Sequence, residues 1–359
     1  GSRWIPRPRR GRLARHEMKL AARIALAVGL AVMIVLVVRD GGPPILTLLS
    51  EAGWVLLLLV PLHAFPLVLD VLGWRTLIER LARSPSVGTL FWIATVREAI
   101  DRLLPVANIG GEIVGIRLLT TRGVEGTRAA ASVVIEVLLT LVSQYLFVTL
   151  GIVLALKSLR GFEPLGGLLL GLAVALLLIA IMFALLRYGS VFERLERLAQ
   201  RMIGLSRGAL PSTWLPAGGP MPAGAWQQLD ATIRELCEAR ARLAATVAWQ
   251  LSGLVAGSLE TWLALRWLGS PVDFGTAVSL ESLTQALRQL IFVVPAGLGV
   301  QEAGLIGLGG LLGLPADVAV TLSLVKRMRE IAFGVPALAS WQWVEGWRGL
   351  PRKKRLETK

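Results

Sequence analysis

The sequence predicts an all-α integral membrane protein with about six transmembrane helices and two broken re-entrant helical hairpins, arranged as an inverted-topology repeat. Three observations carry that expectation. Hydrophobic residues make up 54% of the 359, mean hydropathy is +0.65, and several apolar runs reach the roughly 18–20 residues that a bilayer crossing needs. Two further segments, 89–119 and 281–314, are apolar but charged and are broken by proline and glycine. In both, a proline precedes a glutamate by seven positions: Pro105 before Glu112, and Pro295 before Glu302.

Residues 3–19 hold seven basic residues against one acidic, Glu17. The apolar run 20–38 follows, without a small-residue cleavage site, and reads as a first span. A second span near 52–72 contains Pro61 and Pro66, with His63 and Asp70 in its apolar zone. The segment 89–119 is too charged for a plain span: Arg97, Glu98, Asp101 and Arg102 occupy its first half, and Glu112 follows Gly110-Gly111. Halves this short enter the membrane and turn back, and the backbone freed at the break must be covered by protein or a polar cavity. A third span, 129–156, holds Glu136 and Gln144. A fourth, 164–186, is wholly apolar. Residues 187–242 are polar and begin as an interfacial amphipathic helix. A fifth span near 243–268, the second hairpin and a sixth span from 315 to about 344 complete the repeat.

The expected organisation is therefore a basic cytoplasmic segment 1–19, a first membrane half 20–186 with its hairpin near 89–119, and a cytoplasmic connector 187–242. A second half, 243–346, has its hairpin near 281–314, and a basic cytoplasmic tail, 347–359, follows. Lys and Arg set the sidedness: 27 fall in the segments assigned to the cytoplasm, and three (Arg39, Lys157, Arg160) in the outer loops. The first hairpin then enters from the cytoplasm and the second from outside, which is the plan of many secondary transporters. The net charge of +14 is read as basic loops facing anionic lipid rather than nucleic-acid binding. One cysteine and two histidines argue against a disulfide framework and a metal site. No Walker-type phosphate loop occurs, so neither ATP nor another cofactor is expected.

A charge inside a span costs roughly 2.5–3.5 kcal/mol and faces a cavity or a partner. Arg97/Asp101, Glu98/Arg102 and Lys326/Glu330 have the i,i+4 spacing of self-neutralising pairs. Glu136 and Arg327 stand at nearly equivalent places in the two halves: either they pair at the repeat interface or, the preferred reading, Arg327 serves the headgroup. Glu112 and Glu302 each follow a break, near a helix start, where they either cap the helix or form a titratable group. The basic and polar candidates for an anionic headgroup are Arg102, Asn108, Arg288, Gln301 and Arg327. Glu98, Asp101, Glu112, Glu136, Glu302 and Glu330 are the candidates for its polar or cationic parts or for a coupled proton. Tryptophans at 54, 74, 92, 262, 267, 341, 343 and 347 read as interface anchors.

The segments RLLPVANIGGEIVGIRLLTTRGV and VVPAGLGVQEAGLIGLGGLLGLPADVAVTLSLVKRMREI resemble the membrane domain of the lysylphosphatidylglycerol synthase/flippase-like family. Within it, the stand-alone members of hopanoid-biosynthesis clusters are the nearest likeness. The resemblance implies a bacterial inner-membrane protein that moves a lipid between leaflets. Two-domain members add a soluble domain that transfers an amino acid from tRNA, and that domain is not expected here. Lipid translocation without ATP is the leading reading, and its partners are membrane lipids, with a homo-oligomer or lipid-biosynthesis enzymes as further partners. The alternative is a membrane-embedded lipid-modifying enzyme or an accessory subunit of hopanoid or aminoacyl-phospholipid biosynthesis, in which paired carboxylates do acid/base work. No nucleophile–base constellation stands out, and no catalytic residue is assigned.

Overall fold

A computed structural model describes residues 42–79, 85–104, 110–158, 225–290 and 299–349. The predicted spans 20–38 and 164–186, the hairpin tips with Pro105, Asn108 and Pro295, most of the connector and the basic tail lie outside the described residues. Every element among the described residues is helical.

The chain enters through α1 (Gly42–Ala52), a 3-10 turn (Gly53–Leu58), α2 (Leu59–Leu62) and α3 (Ala64–Ile78). This stretch reaches Ile78, beyond the expected end at residue 72. Pro66 does not interrupt it, because it sits in the first turn of α3, where its missing N–H has no intrahelical partner. The regular helix pauses at His63 instead, between the two prolines. Ile45–Ile78 and Gly126–Ala155 are the two described stretches long and apolar enough to cross a membrane.

α4 (Val87–Leu103) starts on Ser86, whose hydroxyl accepts from the Thr89 N–H at 3.3 Å. α5 (Gly110–Thr121) runs back along it: Gly111 N–H donates to Asp101 at 3.0 Å, and Gly115 faces Arg97. A Cβ at Gly115 would lie 2.6 Å from the Arg97 side chain, so only glycine admits the arginine there. α6 (Gly126–Ser158), α7 (Ala225–Glu238) and α8 (Arg240–Trp267) follow. α9 (Phe274–Leu290) opens on Asp273, which accepts from Thr276 N–H at 3.1 Å and from its hydroxyl, bonds that hold the carboxyl below its ordinary range. α10 (Val300–Leu311) turns back along α9, and α11 (Ala316–Gly349) ends the described chain.

Three helices of the first half have counterparts of like length in the second. α4 and α9 have 17 residues each, α5 and α10 have 12 each, and α6 and α11 have 33 and 34. The turns that follow α5 and α10 are alike as well. Gly123 (φ +90°) and Gly313 (φ +85°) take the left-handed conformation, while Val124 N–H bonds Leu119 O and Leu314 N–H bonds Gly309 O. Each hairpin also packs on the long helix of the other half, α4 on α11 and α9 on α6, while α3 lies along α8.

The bundle is polar inside and apolar outside. On α11, Arg327 and Glu330 are buried while Met328 and Ile331 are 58% and 52% exposed, the arrangement lipid favours and water does not. Trp54 and Trp343 are exposed, as interface anchors require. Trp74 and Trp341 are instead buried, because one carries the Arg97 guanidinium on its ring and the other packs in the core beside α4.

Helices approach through small residues. Ser279 Oγ donates to Gly151 O at 2.9 Å, and any Cβ at Gly151 would collide with Ser282. Gly151→Val is therefore expected to lower stability by about 1–3 kcal/mol, read as a lower melting temperature of the purified protein in detergent. Gly310→Ala, at an exposed site where a Cβ meets nothing within 4 Å, should leave it nearly unchanged.

Candidate functional site

The inward faces of α3, α4, α6, α8, α9 and α11 enclose a cavity of about 430 Å³. Most of the residues lining it are ionisable or amide-bearing, alongside some apolar ones such as Leu67 and Leu254, and the charges form distinct groups.

At one end Arg97 is the hub. It is buried, donates to Glu136 at 2.7 Å, makes a close ion pair with Glu112, and stacks 4.8 Å from the Trp74 ring centroid. Asp101 and Asp70 line the same end, Asp101 tied to the start of α5 through Gly111. Four carboxylates thus surround one guanidinium.

At the other end the signs reverse. Glu330 is shared by Arg327 at 3.0 Å, Arg288 at 3.4 Å, Arg102 at 3.5 Å and Arg329 at 3.9 Å. Arg327 also reaches Glu302 at 3.3 Å, which accepts from Ser323 at 3.2 Å. Arg288 donates to Gln301 Oε1 at 2.5 Å. Behind it, Nε2 of Gln301 and Nη2 of Arg327 are buried donors with no acceptor among the described residues.

Between the two ends lies a bridge. His63 sets Nε2 3.0 Å from Glu98 and Nδ1 2.8 Å from Glu260, while Arg329 approaches Nδ1 at 2.7 Å and pairs closely with Glu260. A fourth group sits beside it: Glu281 pairs closely with Lys326 and accepts from Gln285, which in turn accepts from Gln144 at 3.0 Å.

The structure thus gathers Arg102, Arg288, Gln301, Arg327, Glu98, Glu302 and Glu330 at one side, and Asp101, Glu112 and Glu136 at the other. Asn108 lies outside the described residues. Arg102 and Arg288 line the cavity, whereas Arg327 and Gln301 stand behind it. Of the expected intrahelical pairs only Glu98/Arg102 forms, at 3.7 Å. Arg97 leaves Asp101 for Glu112 and Glu136, and Lys326 leaves Glu330 for Glu281, because a buried charge gains more from a desolvated partner across the interface than from an i,i+4 neighbour. Glu136 and Arg327 do not meet, since α6 packs on α9 and α11 on α4, so each long helix faces the other half's hairpin. Glu112 and Glu302 occupy the first turns of α5 and α10 but spend their carboxylates on tertiary ion pairs.

His63, Asp70, Arg97, Glu260, Glu281 and Arg329 also line the cavity and were not among the sequence-predicted site residues. A signal for His63 was present, a lone histidine between two prolines in an apolar run. Arg97 was masked by its spacing from Asp101.

The family model described as the lysylphosphatidylglycerol synthase TM region matches residues 22–337. No curated protein and no solved structure matches the chain.

Because Arg97 neutralises the buried Glu136 and the half-buried Glu112 at once, Arg97→Gln is expected to cost about 3–5 kcal/mol. Glu136→Gln added to it should recover part of that loss, since one uncompensated charge is then removed. Thermal unfolding of the single and double variants, treated as a cycle, measures the coupling.

Proposed function

We propose that this chain, which belongs to the family of the lysylphosphatidylglycerol synthase TM region, binds a polar or anionic lipid headgroup in its central cavity and passes the lipid between leaflets without ATP. The family is membrane-embedded and lipid-related. One observation carries the reading further. Arg102 and Arg288 both face the cavity, and both hold the same carboxylate, Glu330, at 3.5 and 3.4 Å. A charge-assisted bond of full strength measures about 2.7–2.9 Å. Beyond Glu330, Arg102 reaches Glu98 at 3.7 Å and Arg288 donates from Nη1 to the neutral Gln301 amide; the guanidinium groups keep donors to spare, and a phosphate matches those planar forks. Arg327 and Gln301 complete the proposed subsite from behind, and Asn108 is proposed for it from the sequence alone. The acidic end, with Glu112, Glu136 and Asp101, suits the polar or cationic part of a headgroup.

The matched halves support the transport side of the proposal. Helices of 17 and 12 residues span about 26 and 18 Å, short of the roughly 30 Å hydrocarbon core, so each pair is read as a re-entrant hairpin whose tip lies within the membrane. The hairpins tie themselves at equivalent places, Asp101 to Gly111 in one and Arg288 to Gln301 in the other. We read this as an inverted repeat with the site between its halves, in a bacterial inner membrane with both termini cytoplasmic. A place in the hopanoid-associated branch is proposed from the sequence resemblance alone.

The headgroup reading is tested in proteoliposomes with a fluorescent phosphatidylglycerol. Arg102→Gln with Arg288→Gln should slow translocation at least about tenfold, the loss of roughly one charge-assisted interaction, while Arg288→Lys should weaken binding with little change in melting temperature. Full-rate translocation by the double glutamine variant refutes the site.

The sidedness is tested by cysteine labelling after Cys237→Ser. Ser86→Cys and Thr121→Cys should react with a membrane-impermeant maleimide only from the cytoplasm, and Asp273→Cys and Ala316→Cys only from outside. Reaction of all four from one side excludes the inverted repeat.

A further inference from the structure

We infer that His63 is a proton site coupled to headgroup binding, so that the protein takes up a proton with each anionic headgroup it binds. The inference rests on the headgroup site proposed at Arg102 and Arg288, and it adds the ion to which that site is linked.

The geometry gives His63 two complete bonding states. As imidazolium it donates from Nε2 to Glu98 and from Nδ1 to Glu260, at 3.0 and 2.8 Å, while Arg329 Nη1, 2.7 Å from Nδ1, turns from the ring to Glu260, with which it already pairs. As the neutral Nε2–H tautomer it still donates to Glu98, while its Nδ1 lone pair accepts from Arg329 Nη1 at 2.7 Å. Neither state leaves a buried ring nitrogen without a partner, which is what a group that loads and unloads a proton requires. A merely structural histidine needs only one such set.

The two states differ in charge, and the difference reaches the headgroup site through one oxygen. Glu98 Oε1 lies 3.1 Å from His63 Nε2 and 3.7 Å from Arg102 Nε. With His63 charged, the quartet His63, Glu98, Glu260 and Arg329 is neutral, and Arg102 is released toward the cavity. With His63 neutral the quartet carries one excess negative charge, and Glu98 turns to Arg102 as its nearest remaining cation. Glu98 then competes with a phosphate for Arg102.

The surrounding charges are accounted for. Glu98 and Arg102 come from α4, Glu260 from α8, Arg329 with Glu330 behind it from α11, Glu281 from α9 and Asp70 from α3. The remaining close neighbour, Phe333, is apolar, its ring edge-on at 4.9 Å. Coupling is reciprocal: if the proton frees Arg102 for the anion, the anion raises the proton affinity of His63. Affinity is therefore fully expressed when His63 is protonated and falls as pH rises. Proton and headgroup bound together also travel in the same direction.

The test uses the full chain in phosphatidylcholine nanodiscs and a short-chain, water-soluble phosphatidylglycerol, a phosphodiester whose single charge is constant across the neutral range. Calorimetric titration in buffers of different ionisation enthalpy, from about pH 6 to about pH 10 so that the titration of a histidine between two carboxylates is crossed, counts the protons exchanged. The wild type should take up close to one proton per lipid, and its affinity should fall by up to about tenfold per pH unit through the titration of His63. His63→Gln copies the neutral tautomer, with a donor to Glu98 and an acceptor for Arg329. It should bind at the weaker, alkaline-limit affinity at every pH. Glu98→Gln removes the competitor for Arg102 and should bind at the tighter, acid-limit affinity at every pH. Wild-type binding without proton uptake overturns the coupling while leaving the headgroup site standing, and so does full pH dependence in either variant. No binding by the wild type at any pH overturns the headgroup site itself, and the coupling with it.

Discussion

The pairing of Arg97 with Glu112 and Glu136 is the contact on which much of the rest depends. An unpaired charge in a low-dielectric interior costs several kcal/mol, so the three side chains must be brought together for the fold to form at all. They come from α4, α5 and α6. Satisfying them closes the first hairpin and seats it on the following long helix. Two glycines make this possible, Gly111 by letting α5 reach Asp101 and Gly115 by leaving room for the arginine stem. Trp74 then covers the guanidinium from α3.

The second half solves the same problem with the partners exchanged. Its hairpin glutamate, Glu302, takes its arginine from the long helix α11 rather than from the hairpin's own first helix. Arg288 is left at the cavity wall, where the first half has Asp101. The consequence is a cavity with unlike ends, carboxylates crowding one arginine on one side and arginines crowding one carboxylate on the other. Arg102 and Arg288 face the space with contacts to Glu330 of 3.5 and 3.4 Å, which a ligand can replace with shorter ones.

His63 joins these ends. It sits where the helix of the first described stretch pauses, between Pro61 and Pro66, and touches side chains from α4, α8 and α11. A change in its charge is felt by elements of both halves, which is the physical requirement for any group that links events at one side of the bundle to the other.

The amino-acid sequence by itself determined the class of the protein and most of its elements. Hydropathy marked a membrane protein, the family likeness agreed with it, and Pro105–Glu112 and Pro295–Glu302 pointed to two like segments before their helices were seen to have equal lengths. The inventory of buried charge was also legible, because such residues are costly anywhere in an apolar stretch. Their partners were not. Spacing suggested Arg97 with Asp101 and Lys326 with Glu330, and repeat position allowed Glu136 to meet Arg327; the structure pairs Arg97 with Glu112 and Glu136, Lys326 with Glu281, and Arg327 with Glu302 and its helical neighbour Glu330. Apart from that last pair they join residues 15 to 45 apart in sequence, and helix periodicity carries no information about which helices adjoin. Likewise Trp74 read as an interface anchor and His63 only as a histidine in an apolar zone, since neither the arginine above the one nor the carboxylates around the other is near it in the chain. Periodicity reports which face of a helix is apolar; only the packing of hairpin against long helix decides which charge meets which, because that choice is settled by distance and desolvation in three dimensions.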